Sequence, residues 1–320
     1  MAVKFKRLFA LLLFAVVSLG FAASAYPSKP LHLIVPFGAG GGADIFARTL
    51  AKAMEKQLGQ TIVVDNKPGG SSGVGLAYVM SQPADGYTLM EDSRTLTVLF
   101  ARGSTPYKPS DLTYIASVNG EPSGLMVKAG DSRFGSLAQF VAYAKAHNGQ
   151  VTVGGPGSAD LHHLVANEFE AQAGIKLKWV PYSSGKEAAL ALLGGHVDAV
   201  MTTPSNARNL IQSGKIDLLG VSSKKPMSIY PNTPTFSQEG YNIDEILWRG
   251  LFMKGGVPKA RVDTLLTAVK NAMQDPQFQK YMKSYGQQSD FLPPEQLKAL
   301  VLKEVPATHA FLKQLGALGQ

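Results

Sequence analysis

Apolar residues along this chain fall into two rhythms that take turns. Short runs, Leu31-His32-Leu33-Ile34-Val35, Thr61-Ile62-Val63-Val64 and Tyr87-Thr88-Leu89-Met90, read as buried strands. Between them Phe46, Leu50, Met54 and Leu58 recur at helical spacing and Gly59 closes the helix, while a second, shorter helix runs through Met80. The alternation restarts near Gly124. Leu125-Met126-Val127 and Val151-Thr152-Val153 read as strands, and Ser136–Ala146 and Asp160–Ala173 as helices. Leu177–Val180, Gly185–Leu193, Ala199–Thr202, Ser205–Ser213 and Leu218–Ser222 continue it. One more strand, Ile246-Leu247-Trp248, precedes two amphipathic helices, Pro258–Met273 and Pro294–Leu315. Pro306 should kink or interrupt the second of these.

Strand–helix–strand repetition predicts an α/β protein with two units, each a mainly parallel sheet with flanking helices. A helical tail with a single strand makes a poor third domain and should pack back on the first unit. The expected organisation is therefore domain 1 from residues 26–123, domain 2 from 124–240, and a return to domain 1 over 241–320. Two crossings, near Val118–Gly124 and Glu239–Glu245, make a hinge, and a hinge places the ligand in the cleft between domains.

Residues 1–25 read differently. Lys4, Lys6 and Arg7 precede an unbroken apolar run from Leu8 to Val17, and Ala23-Ser24-Ala25 gives a small-x-small cleavage pattern. This predicts a signal peptide cleaved after Ala25 and an exported product. The chain carries 31 Lys and Arg against 23 Asp and Glu, a net charge of +8, which falls to +5 once that segment is removed. The remaining cations are scattered, so no nucleic-acid groove is expected; the excess favours anionic small molecules. With 0 cysteines, thiol catalysis, Cys-ligated metals and a lipid anchor on cysteine are excluded. The histidines lack metal-ligand spacing, and no metal or cofactor is expected.

Two glycine motifs compete for the chemistry. Gly38-x-Gly40-x-x-Ala43 follows the first strand and opens a helix, and Asp65 lies near the spacing of a ribose-binding acid, which is the pattern of a dinucleotide fold. Export and a second glycine-rich turn, Pro68–Gly73, argue against it, but bare N–H groups at such a loop bind carboxylate as well as phosphate. Gly69-Gly70-Ser71-Ser72-Gly73 matches a nucleophile elbow, yet Pro68 breaks the strand an elbow requires. In domain 2, Gly155–Ser158, Tyr182–Gly185 and Thr202–Ser205 place small polar residues at strand ends. Asp44 and Asp160 read as helix caps.

The set Tyr26-Pro27-x-Lys29-Pro30, Val35-Pro36-Phe37-Gly38-Ala39-Gly40-Gly41-Gly42-Ala43-Asp44, Val64-Asp65-Asn66-Lys67-Pro68-Gly69-Gly70, Pro83-x-Asp85-Gly86-Tyr87, Val180-Pro181-Tyr182, Leu193-Gly194-Gly195-x-Val197-Asp198 and Trp248-x-Gly250 resembles the Bug family. These are the TctC-type extracytoplasmic solute receptors of tripartite tricarboxylate transporters. The resemblance implies a two-domain periplasmic binding protein of the Venus-flytrap, type II-like kind. Such a protein closes on a small carboxylate (a di- or tricarboxylate or an aromatic carboxylate), performs no catalysis and hands the solute to membrane permease subunits; it is expected to be a monomer in the periplasm. Carried onto this chain, the resemblance points to Phe37, Ala39, Gly40 and Gly42, then Gly70, Ser71 and Ser72, with Ser158, Ser183, Ser184, Thr203 and Ser205 opposite. Where relatives have small residues, this chain has Glu91-Asp92-Ser93-Arg94-Thr95. There Ser93 and Arg94 join the candidates, Arg94 either for a second carboxylate or paired with Asp92 at the surface. Asp44, Asp160 and Trp248 complete the set, with Arg249 a similar candidate and Trp248 alternatively packing at the hinge. The alternatives are an exported α/β enzyme, such as an oxidoreductase using the Gly38–Gly42 loop, and a sensory partner of a receptor kinase.

Overall fold

The computed structural model describes residues 26–158, 160–314, 316 and 318, with the side chains of 288–290 excepted. The expected signal peptide lies outside the described residues.

Two sheets organise the chain. The first has the strand order β11-β4-β10-β3-β1-β2, from β1 (Leu31–Val35), β2 (Ile62–Asn66), β3 (Thr88–Ser93), β4 (Leu112–Pro122), β10 (Ile246–Lys254) and β11 (Gln288–Leu292). The second has the order β7-β6-β8-β5-β9, from β5 (Gly124–Lys128), β6 (Thr152–Pro156), β7 (Lys178–Tyr182), β8 (Ala199–Thr202) and β9 (Ile216–Val221). The parallel ladders expected from the alternation are β1 with β2 and β3, and β6 with β7 and β8. Each sheet is nonetheless mixed. β10 runs antiparallel between β3 and β4, and β5 runs antiparallel between β8 and β9. The cause is the crossing between sheets: a strand entering a sheet from the neighbouring lobe arrives at the opposite end and runs the other way.

β4 and β10 are the two crossing strands, and they pair from Lys254↔Leu112 to Ile246↔Pro122. Serines knit the junction beyond them. The Ser123 N–H donates to Ser222 Oγ at 2.8 Å, the Ser222 N–H returns to the Ser123 carbonyl at 2.8 Å, and Ser222 Oγ donates to the Glu245 carbonyl.

Each sheet has its own apolar core. Leu31, Leu33, Phe46, Leu50, Met54 and Phe278 pack on one face of the first, and Phe140, Val153, Phe169 and Phe236 on one face of the second. Several expected elements change shape. The third strand extends to Ser93, so Glu91 and Asp92 lie inside the sheet rather than after it. The helix over 205–213 is a 3₁₀ turn, Pro204–Ala207, followed by Arg208–Gln212. Pro306 leaves the helix Pro294–Gln314 unbroken. Thr95–Ala101 and Pro276–Ser284 are further helices. No helix among the described residues is long and apolar enough to cross a membrane.

Candidate functional site

The carboxyl ends of β1, β3, β6, β7 and β8 converge on a cleft of about 70 Å³ between the two sheets. Phe37, Gly38, Gly41 and Gly42 of the first glycine loop form one wall with Ser93 and Thr95. Asp160, Ser183, Ser184, Thr203 and Asn206 form the other. Arg249 and Leu247 lie at its floor.

The register explains how an arginine comes to be there. Arg249 pairs with Ser93 on β3 and with Asn119 on β4, so Glu91 and Glu121, two positions along, share its face of the sheet. Its side chain is only 4% exposed. Nη1 lies 3.5 Å from Glu91 Oε1, the guanidinium stands 5.9 Å from the Phe46 ring centroid, and Nε has no hydrogen-bond partner. A Cβ placed on Gly42 would stand 3.5 Å from its Nη2 and from Asn206 Oδ1, in ordinary contact, so a side chain longer than alanine would reach into the space beside the guanidinium.

Behind the arginine lies a buried acidic layer. Glu91, Asp92 and Glu121 are all fully buried. Burial pushes Glu91 up to about 7 against the pull of Arg249, raises Asp92 well above the carboxylate range with Glu91 adding to it, and raises Glu121. Glu121 ties the lobes together: it accepts from the Ser205 N–H at 3.0 Å and from Gln287 Nε2 at 3.4 Å. On the facing wall, burial raises Asp160 to about 7 and lowers His162 to about 3.

The sequence candidates divide by place. Phe37, Gly42, Ser93, Asp160, Ser183, Ser184 and Thr203 line the cleft, and Gly40 and Ser205 line a larger neighbouring compartment. Ser184 and Asp160 also cap the helices Gly185–Leu193 and Leu161–Ala173. Asp44 caps nothing. It sits in the first helical turn, where Gly41 is the cap, and accepts from the Gly40 N–H at 2.9 Å and from Arg48. Burial would raise its carboxyl, but these bonds hold it below the usual range. Ala39 and Ser158 are exposed and outside the cleft lining; the Ser158 carbonyl accepts from Arg102 at 3.0 Å. Ser72 is buried, with its hydroxyl donating to Asp92 at 3.1 Å. Gly70, Ser71 and Ser72 all have positive φ, which for serine requires such anchoring. Trp248 packs among Leu96, Phe252 and Leu297 and donates to Glu304 at 3.2 Å, away from the cleft. Arg94 is neither Asp92-paired nor in the cleft. It pairs with Glu245 and Glu304 at a separate cavity beside Leu164 and Phe311. Asp65, the would-be ribose acid, is bonded to His32 at 2.9 Å.

The comparisons with known proteins agree with this architecture. Residues 46–317 match the family model described as "Tripartite tricarboxylate transporter family receptor". The chain is 32% identical over 295 residues to the UPF0065 protein in the gbd 5' region of Cupriavidus necator, covering 92% of this chain and 90% of that one. It superposes on the periplasmic binding protein BugD with a TM-score of 0.83 at 30% identity, covering 92% of this chain and 100% of that one. MatC from Rhodopseudomonas palustris, solved with bound malate, shares the fold with a TM-score of 0.81 at 24% identity, covering 90% of this chain and 100% of that one. With the two-lobed cleft these matches place the chain in the TctC (Bug) family of periplasmic solute-binding receptors.

Proposed function

We propose that this receptor closes residues 26–123 and 241–320, as one lobe, against residues 124–240, as the other, around a small carboxylate. It then delivers that solute to membrane permease subunits without chemical change. The segment 1–25 directs export and is cleaved after Ala25, and the mature protein works in the periplasm, as a monomer.

The observation that carries the reading is Arg249. A guanidinium buried at the floor of an interlobe cleft, with one loose counter-ion at 3.5 Å and an unpaired Nε, stabilises an incoming carboxylate through charge-assisted bonds. Ser93, Thr95, Ser184, Thr203 and Asn206 supply the neutral hydrogen-bonding groups that orient it. The acids near this wall have structural partners: Asp160 caps a helix, Glu91 and Glu121 lie behind the arginine, Glu187 holds the Ser183 N–H and hydroxyl, and Asp92 holds Ser72.

The test is a thermal-shift and calorimetric screen of the protein against mono-, di- and tricarboxylates, amino acids, sugars and nicotinamide dinucleotides. A ligand at 100 times its Kd should add about 2.7 kcal/mol of stability. Carboxylate binding that Arg249→Met abolishes and Arg249→Lys weakens is the expected result. A shift with dinucleotides alone, or full carboxylate affinity in Arg249→Met, would overturn the assignment.

A further inference from the structure

The lobes also touch outside the cleft. Arg102, at the end of the helix Thr95–Ala101 in one lobe, donates from Nη1 to the Ser158 carbonyl of the other at 3.0 Å. Arg208, at the start of the helix Arg208–Gln212, reaches the opposite way. Its Nε donates to the Ser284 carbonyl at 2.8 Å, and its guanidinium lies 5.2 Å from the Tyr285 ring centroid. Each lobe thus extends one arginine onto a backbone carbonyl of the other. Ser158 stands two residues before Asp160, and Arg208 two residues after Asn206. Asp160 and Asn206 both line the cleft, so the two contacts grip different loops at its margin.

A third contact is apolar. Leu164, on the helix Leu161–Ala173, is 6% exposed and packs with Val98, Ala101 and Leu312 of the facing lobe. None of the three contacts passes through Arg249 or through the hydroxyls that line the cleft. Hydrogen bonds weaken steeply with distance and angle, so rotation about the two crossings breaks both arginine contacts.

We propose that Arg102, Arg208 and Leu164 form a clasp that holds the lobes together without solute, so that the empty receptor already populates the closed form. A solute entering the cleft then supplies only the part of closure that the clasp does not. The inference rests on the division into lobes in the reading above, and on no property of the solute.

The chain has 0 cysteines, so a pair introduced by mutation carries the only labels. Nitroxides on Lys52→Cys and Lys145→Cys, exposed positions on helices of opposite lobes, report the interlobe distance by double electron–electron resonance. The solute-free protein should show a closed population beside the open one. Arg102→Ala combined with Arg208→Ala should lower the closed-to-open ratio at least about tenfold, the equivalent of one charge-assisted contact. Leu164→Ala should lower it in the same direction, and the scattering radius of the empty protein should rise in step. Arg133→Ala is the control, because that arginine pairs with Asp131 and Asp198 inside one lobe; it should leave the ratio unchanged. Only the longer distance in the solute-free protein, an unchanged ratio in the double variant, or an equal drop in Arg133→Ala would overturn the clasp. Each of those results leaves carboxylate binding, read by calorimetry, intact. Failure of every carboxylate in that screen would instead remove the receptor reading and leave the distance ratio standing.

Discussion

Glu91→Gln should stabilise the unliganded protein at alkaline pH, and by an amount the structure sets. Glu91 is 0% exposed, neither carboxylate oxygen has a hydrogen-bond partner, and the nearest cation stands 3.5 Å away. Burial moves its ionisation from the ordinary 4.5 to about 7 despite Arg249, and the Asp44 charge adds to the rise. An acid whose folded value is raised binds more protons in the native than in the unfolded state between the two values, so stability falls as pH rises through that window. At about 1.4 kcal/mol per pH unit the gap from 4.5 to about 7 amounts to roughly 3 kcal/mol at pH 8, absent below pH 4.5. Gln keeps the shape and removes the charge. It also relieves Asp92, whose carboxyl burial raises first and Glu91 raises further. His162, lowered to about 3, and Asp160, raised to about 7, contribute pH dependence of their own, but equally to both proteins, so the difference between the two curves isolates the Glu91 layer. Urea unfolding followed by tryptophan fluorescence from pH 4.5 to 8 measures it. The variant's curve should diverge upward by roughly 3 kcal/mol across that range. Parallel curves would mean that Glu91 ionises in the native protein as it does in water, and the account of a desolvated acidic layer would be wrong.

The same layer predicts that carboxylate binding takes up protons: an anion at Arg249 competes with Glu91 and raises its proton affinity further, so affinity should fall as pH rises above about 7. Calorimetry in buffers of different ionisation enthalpy reads the uptake directly, and a zero proton count would refute it. Gly42→Val should abolish binding with little change in melting temperature, since its Cβ fits at 3.5 Å from Arg249 and Asn206 while its two methyl groups would reach into the cleft beside them; retained affinity would place the solute elsewhere. Gly42 is the cleaner probe than Gly40, whose φ of +75° strains any side chain. Trp248→Phe should cost about 1–3 kcal/mol through the lost bond to Glu304 and leave binding unchanged, as denaturation and calorimetry together would show. Scattering should report a smaller radius at ligand saturation; an unchanged radius would argue against hinge closure.

What was legible in the sequence was whatever depends on short range. The runs at Leu31–Val35 and Thr61–Val64 and the helix closed by Gly59 follow from local spacing, and the structure has strands over Leu31–Val35 and Ile62–Asn66 and that helix. The glycine loop before that helix was likewise visible, and Gly38, Gly41 and Gly42 line the cleft. What the spacing could not carry was pairing. β4, all but its second residue buried along Leu112–Pro122, contains Ser117, Asn119 and Glu121, and those polar positions hide a strand whose partners come from Trp248, Arg249 and Gln287, more than a hundred residues away. Arg249 could be named from the sequence only as one charge beside a tryptophan; its burial in the cleft depends on the same distant pairing.

Glu91, Asp92 and Arg94 show the converse. They look like one charged, solvated stretch, and the register separates them. Successive side chains on a strand point to opposite faces, so Glu91 goes to Arg249 and Asp92 to Ser72, while Arg94, beyond the strand end, turns to Glu245 and Glu304. A charge cluster in sequence thus becomes three separate interactions, and only the first reaches the interlobe cleft, through Arg249. Arg249 holds its position because Glu91 and Glu121 flank it along the sheet, yet neither neutralises it at hydrogen-bond distance, since Glu91 is 3.5 Å away and Glu121 is spent on Ser205 and Gln287. The guanidinium is thereby left with an unpartnered Nε in a residue that lines the cleft, which is the opening the proposed carboxylate would fill.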